Sequence, residues 1–136
     1  MESLVIYTDG GSRGNPGSAA YGFVVYYQAE KIYEEGCEIG ISTNNIAEYM
    51  GVLAALQWVD QQKKSDISID FFMDSQLLAH QLSGTWKIKN LNLSKLFTAI
   101  KEIETRLHIK TTYTPIPREK NKAADRMVNL ALDHKI

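Results

Sequence analysis

Cysteine is almost missing from this chain, and the single one, Cys37, excludes an internal disulfide. A lone thiol fits a reducing compartment, so a cytoplasmic protein is expected, with Cys37 a small half-buried side chain in a strand. Long apolar runs are missing too. The stretch from Ala19 to Tyr27 is among the longest and far too short to cross a bilayer, so no membrane-spanning helix is expected. The N-terminus lacks a basic segment followed by an apolar run and a small-residue cleavage site, so no signal peptide is read. Neither charge is in useful excess: 15 Lys and Arg face 16 Asp and Glu, for a net −1. Domains that coat phosphate backbones are commonly strongly basic, so any such surface here has to be local. Basic residues do gather near Trp86 (Lys87, Lys89) and near Pro117 (Arg118, Lys120, Lys122, Arg126). No His or Cys pairing has zinc spacing, which excludes a zinc site of the usual kind.

What is present is an ordinary globular composition over 136 residues, 44% apolar and 23% charged, enough for one domain spanning 1–136 and too little for two. Leu4 to Thr8 reads as a buried strand ending at Asp9, and Gly10 to Gly17 as a glycine-rich loop. Strands over Ala19 to Gln28 and Lys31 to Ile39 follow, joined as a hairpin. From Thr43 to about Gln62 the spacing of Ile46, Met50, Leu53 and Leu56 predicts a helix, capped by Thr43 or Asn44. Ile67, Ile69, Phe71 and Met73 alternate with polar residues as a strand arriving at Asp74. A short helix from about Ser75 to Ser83 stops at Gly84. A longer one, marked by Leu96, Ile100, Ile103 and Leu107, takes Asn92 or Ser94 as its cap. Ile109 to Thr114 is a last strand, and a helix runs from about Glu119 to Asp133. Hairpin strands are antiparallel, whereas strands joined through helices are parallel by right-handed crossovers. The expected fold is α/β: one mixed five-stranded sheet, three antiparallel strands then two parallel, with helices on both faces.

Four acidic residues sit where a structural account is awkward. Asp9 and Asp74 each end a buried strand, and parallel neighbours would bring those ends together at the sheet edge where α/β folds bind ligands. Glu48 lies on an otherwise apolar helix, and Asp125 between Ala124 and Met127 on another. Taken singly, each strand-end carboxylate reads equally well as a cap. Four that converge repel one another and call for a cation. Oxygen donors in this number suit Mg²⁺ or Mn²⁺. A carboxylate-bridged ion pair serves in-line phosphodiester displacement.

The segments carrying these residues resemble the ribonuclease H family, type 1, in a compact form without a basic protrusion. Asp9-Gly10-Gly11-Ser12-Arg13-Gly14-Asn15-Pro16-Gly17 looks like its opening motif, and Thr43-Asn44-Asn45-Ile46-Ala47-Glu48 its second. Met73-Asp74-Ser75-Gln76 resembles the third, and Pro117 through Asp125 the fourth. The motifs occur in family order and cover nearly the whole chain. The resemblance implies a ribonuclease H-like fold and hydrolysis of the RNA strand of RNA–DNA hybrids, leaving 5′-phosphate and 3′-hydroxyl ends. It implies two Mg²⁺ ions, or Mn²⁺, bound by Asp9, Glu48, Asp74 and Asp125, with Asp9 bridging both and Asp125 nearest the ion that activates water.

By the same resemblance Gly10, Gly11, Ser12, Asn15, Thr43, Asn44, Gln76, Trp86 and Asn121 are candidate substrate contacts. Amides suit 2′-hydroxyls and base edges, and Thr43 stands at a helix N-terminus where anions bind. Its N-cap role can coexist with that contact. Trp86 is similar to a family tryptophan lining the DNA strand. Two departures stand out. No basic helix fits between Gly84 and Leu93, which implies weaker, salt-sensitive hybrid binding. The loop before Asp125 lacks the family's histidine, leaving Arg118 or Glu119 as substitutes. A catalytically inactive nucleic-acid-binding homologue and a nuclease acting on DNA are the competing readings. A monomer suffices for any of these.

Overall fold

The computed structural model describes residues 2–136. Five strands, β1 (Ser3–Arg13), β2 (Gly17–Tyr27), β3 (Glu30–Ser42), β4 (Ser68–Met73) and β5 (Lys110–Pro115), form one mixed sheet in the order β3-β2-β1-β4-β5. The first three are antiparallel and the last two join in parallel, as the sequence predicts. Between β2 and β3, Gln28 and Ala29 both take positive φ, the handedness that a two-residue hairpin turn needs to match strand twist. The helices are α1 (Asn44–Gln61), α2 (Gln76–Leu82), α3 (Leu91–Arg106) and α4 (Lys122–Leu132).

Alternation along β1 shows how the sheet is covered. Leu4, Ile6 and Thr8 are fully buried, whereas Val5, Tyr7 and Asp9 on the other face are half-buried. Phe71, Ile69, Leu56 and Ile100 complete a core in which each buried aliphatic or aromatic side chain contributes about 2 kcal/mol. Two glycines set how close the helices come. A Cβ on Gly10 would stand 2.3 Å from the carbonyl carbon of Ala47 and 2.4 Å from the amide nitrogen of Glu48. On the opposite face, a Cβ on Gly22 would stand 2.6 Å from the Ala124 carbonyl oxygen. Hydrogen at these positions lets the backbones of α1 and α4 lie directly on the sheet.

Four local expectations differ from the structure. Strand β1 does not stop at Asp9 but runs to Arg13, because pairing with β2 continues to Arg13 opposite Ser18. The loop shrinks to Gly14–Pro16. Helix α3 is capped by Asn90, whose side-chain oxygen accepts from the Leu93 amide at 3.1 Å, not by Asn92 or Ser94. Leu91, in its first turn, is exposed, so apolar spacing did not mark the start. The last helix is broken in two, a 3₁₀ turn over Arg118–Lys120 and then α4, with Asn121 between them. Cys37 is exposed rather than half-buried, since it lies on the edge strand β3.

Gly10→Ala is expected to destabilise the protein by about 2 to 4 kcal/mol, since backbone atoms rather than a movable side chain block the methyl group. Gly11→Ala, whose Cβ would meet nothing nearer than 3.9 Å, should leave stability within about 1 kcal/mol of the parent. Urea unfolding of both variants measures the contrast.

Candidate active site

Parallel pairing of β1 with β4 puts Tyr7 opposite Phe72, so Asp9, two residues on within β1, and Asp74, directly after the end of β4, are neighbours. Both line the same cleft. Glu48 comes from the first turns of α1, which Thr43 starts by accepting from the Ile46 amide at 3.2 Å. The close approach at Gly10 brings that turn down beside Asp9. Asp125 comes from the first turn of α4, where Asn129 donates to its carboxylate at 3.3 Å and to its carbonyl at 3.1 Å.

Asn121 holds this corner together. It is 1% exposed, and its amide donates to the Thr8 carbonyl at 2.9 Å, across the peptide that leads to Asp9. Its backbone carbonyl accepts from the Asp125 amide at 3.2 Å, and its side chain steadies the charged form of Asp74. One residue thus reaches toward three of the carboxylates, two through its side chain and Asp125 through its backbone. That burial turns Asn121 away from the groove surface, so the resemblance-based assignment as a substrate contact gives way to a supporting position. Gly10 differs: the side where a Cβ would stand packs on α1, while the residue still lines the cleft.

Together Asp9, Glu48, Asp74 and Asp125 line one cleft of about 500 Å³ with Gly10, Gly11, Ser12, Asn44 and Arg118. Burial, followed by the neighbouring Asp74 and Asp125 carboxylates, pushes Asp9 up to about 8. Burial pushes Glu48 up to about 7, against the Ser75 hydroxyl, which favours its charge. Asp74 is also raised, mainly by burial, while Asn121 and the Arg118 guanidinium pull the other way. The donor set is all carboxylate oxygen, the chemistry of Mg²⁺ or Mn²⁺. Among the described residues no group of three or more His, Cys, Asp or Glu side chains is already drawn together around one point. The residues fit such an ion by type and by shared cleft.

The remaining candidates fall into two groups. Ser12, Asn15 and Asn44 interlock: Asn44 Oδ1 accepts from the Ser12 amide at 2.8 Å and hydroxyl at 3.1 Å, and Asn15 Oδ1 accepts from the Asn44 amide at 3.0 Å. Their oxygens are engaged, and neither side-chain NH₂ meets a protein acceptor among the described residues. Gln76 is exposed at the start of α2. Trp86 lies apart from the cleft, 45% exposed and stacked on His80 at 4.3 Å. Sequence reasoning missed Ser75 and Asn129. A serine before a helix was the signal for the first, and four-residue spacing from Asp125 for the second. Of the two residues left in place of a histidine, Arg118 lines the cleft and Glu119 does not.

Comparisons with known proteins agree with this geometry. A family model described as RNase H matches residues 1–132. The chain is 40% identical over 132 residues to the bifunctional protein Rv2228c of Mycobacterium tuberculosis, covering 96% of this chain and 35% of that protein. It is 39% identical over 128 residues to ribonuclease HI of Halobacterium salinarum, covering 93% of this chain and 63% of that one. The solved structure of LC11-RNase H1 in complex with an RNA/DNA hybrid superposes with a TM-score of 0.92 at 37% identity, covering 97% of this chain and 98% of that chain. The chain therefore spans about a third of the mycobacterial relative and under two thirds of the archaeal one.

The raised carboxyls predict an unusual pH dependence of stability. Their folded values, near 8 for Asp9 and 7 for Glu48, exceed the ordinary 3.8 and 4.5, so across that interval the folded state binds more protons than the unfolded. This contribution is full below pH 3.8 and is lost as pH rises through about 8. In chelator, the Tm of the parent should fall relative to that of Asp9→Asn as pH rises through this interval, and Asp9→Asn should unfold at the higher temperature at its upper end. Parallel Tm curves for the two proteins would rule out the crowding described here.

Proposed function

Because the chain belongs to the RNase H family, we propose that it is an endonuclease that hydrolyses the RNA strand of RNA–DNA hybrids. The observation that carries this reading is the convergence of Asp9, Glu48, Asp74 and Asp125, from four different elements, in one cleft. The family is divalent-metal dependent. Asp9, Glu48, Asp74 and Asp125 would hold two Mg²⁺ or Mn²⁺ ions. When bound, such ions lower the pKa of the attacking water and neutralise charge on the leaving oxygen.

The chain's own residues supply position and electrostatics. The raised Asp9 and Glu48 carboxyls show how poorly this pocket tolerates uncompensated negative charge, which favours cation binding. Water adds to phosphorus in line with the 3′-oxygen of the preceding ribose, that P–O bond breaks, and the products carry a 5′-phosphate and a 3′-hydroxyl. The side-chain NH₂ groups of Asn15 and Asn44, and the exposed amide of Gln76, face acceptors on 2′-hydroxyls and base edges, which distinguishes RNA from DNA. Gly11 and Ser12 let the backbone approach the sugar–phosphate chain, and Thr43 at the N-terminus of α1 meets a phosphate. Trp86 stacks along the DNA strand. Arg118, a cation beside Asp74, meets the scissile phosphate in the position the family gives to histidine. The reading is of a single domain acting as a cytoplasmic monomer, and no helix of residues 2–136 is long and apolar enough to cross a membrane.

Asp9→Asn and Asp74→Asn should each abolish cleavage of a labelled hybrid in Mg²⁺ while leaving the circular dichroism spectrum intact. Full activity in either variant sinks the mechanism. Chelator should stop the parent, and duplex DNA should not be cut. Arg118→Ala should lower kcat about ten- to a hundredfold, the scale of a lost hydrogen bond to a charged group. With only local basic patches, KM should rise with salt, but less steeply than for a strongly basic nuclease that neutralises more phosphates.

A further inference from the structure

Among the described residues only three polar side chains are buried: Thr8, Gln81 and Asn121. Thr8 and Asn121 lie behind the carboxylates, where the bond from Asn121 to the Thr8 carbonyl joins β1 to the start of α4. Gln81, 5% exposed on α2 beside the buried Leu78 and Leu82, requires a separate account. Burying an amide is costly unless both its ends are bonded, and a methionine would fill similar volume without that cost. The two ends of this amide are bonded to different parts of the molecule. The Tyr49 hydroxyl, on α1, donates to Gln81 Oε1 at 2.6 Å, and Gln81 Nε2 donates to the Lys87 carbonyl at 3.1 Å. Tyr49 follows Glu48 in the chain, and Lys87 follows Trp86. The bridge therefore runs from the helix of a cleft carboxylate to the residue that follows the exposed tryptophan.

The segment that receives the bond has little order of its own. Lys87 to Asn90 belong to no helix, strand or turn. Just before it, the Thr85 and Trp86 amides donate to the His80 carbonyl at 3.0 and 3.2 Å, and the His80 ring backs the Trp86 ring. Lys87 and Lys89 are exposed on either side of the half-buried Ile88. An aromatic face supported from behind and flanked by lysines suits stacking on a nucleotide with phosphates nearby.

We propose that the Tyr49–Gln81 bridge is a positioning device for this loop, holding Trp86 and Lys87 at a fixed reach from the carboxylate cleft. A loop ordered during folding has less entropy to lose when substrate binds, so the bridge acts on affinity rather than on the chemical step. What the loop touches rests on the hybrid-nuclease reading; the ordering of the loop does not.

The experiment uses Gln81→Met, which keeps core volume, and the milder Tyr49→Phe, singly and together. With labelled hybrid and Mg²⁺, each single variant should raise KM about three- to tenfold with kcat within about twofold of the parent, as loss of one hydrogen bond implies. The double variant should be little worse than Gln81→Met, since both changes cut one bridge. Backbone ¹⁵N relaxation should show residues 84–89 more mobile in Gln81→Met than in the parent, a readout that needs no cleavage. If the parent fails to cut hybrid while the loop still loosens, the functional reading fails and the ordering of the loop by the bridge stands. An unchanged loop in Gln81→Met, or a loosened loop with unchanged KM in an active protein, overturns the proposal.

Discussion

Mutual repulsion of carboxylates is the constraint that organises this molecule. Asp9, Glu48, Asp74 and Asp125 share one cleft, and burial together with neighbouring charge makes ionisation of Asp9 difficult. Their charged forms repel one another, so the backbone has to bring them together. Parallel pairing fixes Asp9 beside Asp74, close helix packing brings in Glu48, and a buried amide ties Asp125 to the same corner. Gathering acids at one buried corner gives up stability locally wherever their charges are not compensated.

The means by which the backbone does this are small residues and buried amides. Gly10 and Gly22 lie on opposite faces of the sheet, and each removes the one carbon that would hold a helix off. Asn121 breaks what would otherwise be a continuous last helix and turns its side chain to the Thr8 carbonyl. That break costs regular helix, but it plants the N-terminus of α4 against β1. The same logic recurs at Gln81, where a buried amide links α1 to the loop carrying Trp86. Among the described residues, the buried amides of Asn121 and Gln81 each join separate elements, Asn121 to β1 and Gln81 to α1 and the tryptophan loop.

The polar residues beside the cleft are assembled differently. With a net charge of −1, the chain has no general attraction for a polyanion, and its basic residues are local. Ser12, Asn15 and Asn44 lock one another in place beside the cleft, while the tryptophan loop stands apart from it. The interlocked side chains and the bridged loop thus flank the fold at separate places.

Much of this was legible in the sequence because it depends on short-range rules. Alternation located the strands, helical spacing located α1 and α3, and strand-end acids before a glycine run or a helix marked the site. The motif order then joined Glu48 and Asp125 to Asp9 and Asp74. Errors came where distant partners decided the outcome. Strand β1 extends to Arg13 because β2 supplies hydrogen bonds there, and glycine-rich composition alone read as a loop. Cys37 is exposed because β3 is the edge strand, a fact of sheet order rather than of local pattern. Asn121 looked like a substrate amide within its motif, yet a partner 113 residues away in the chain turned it inward. Chemistry resides in residue type, so the sequence by itself determined which groups could act. Only the tertiary structure decided which of them face the cleft and which support it from behind, because burial and hydrogen-bond partners are set by contacts between remote segments.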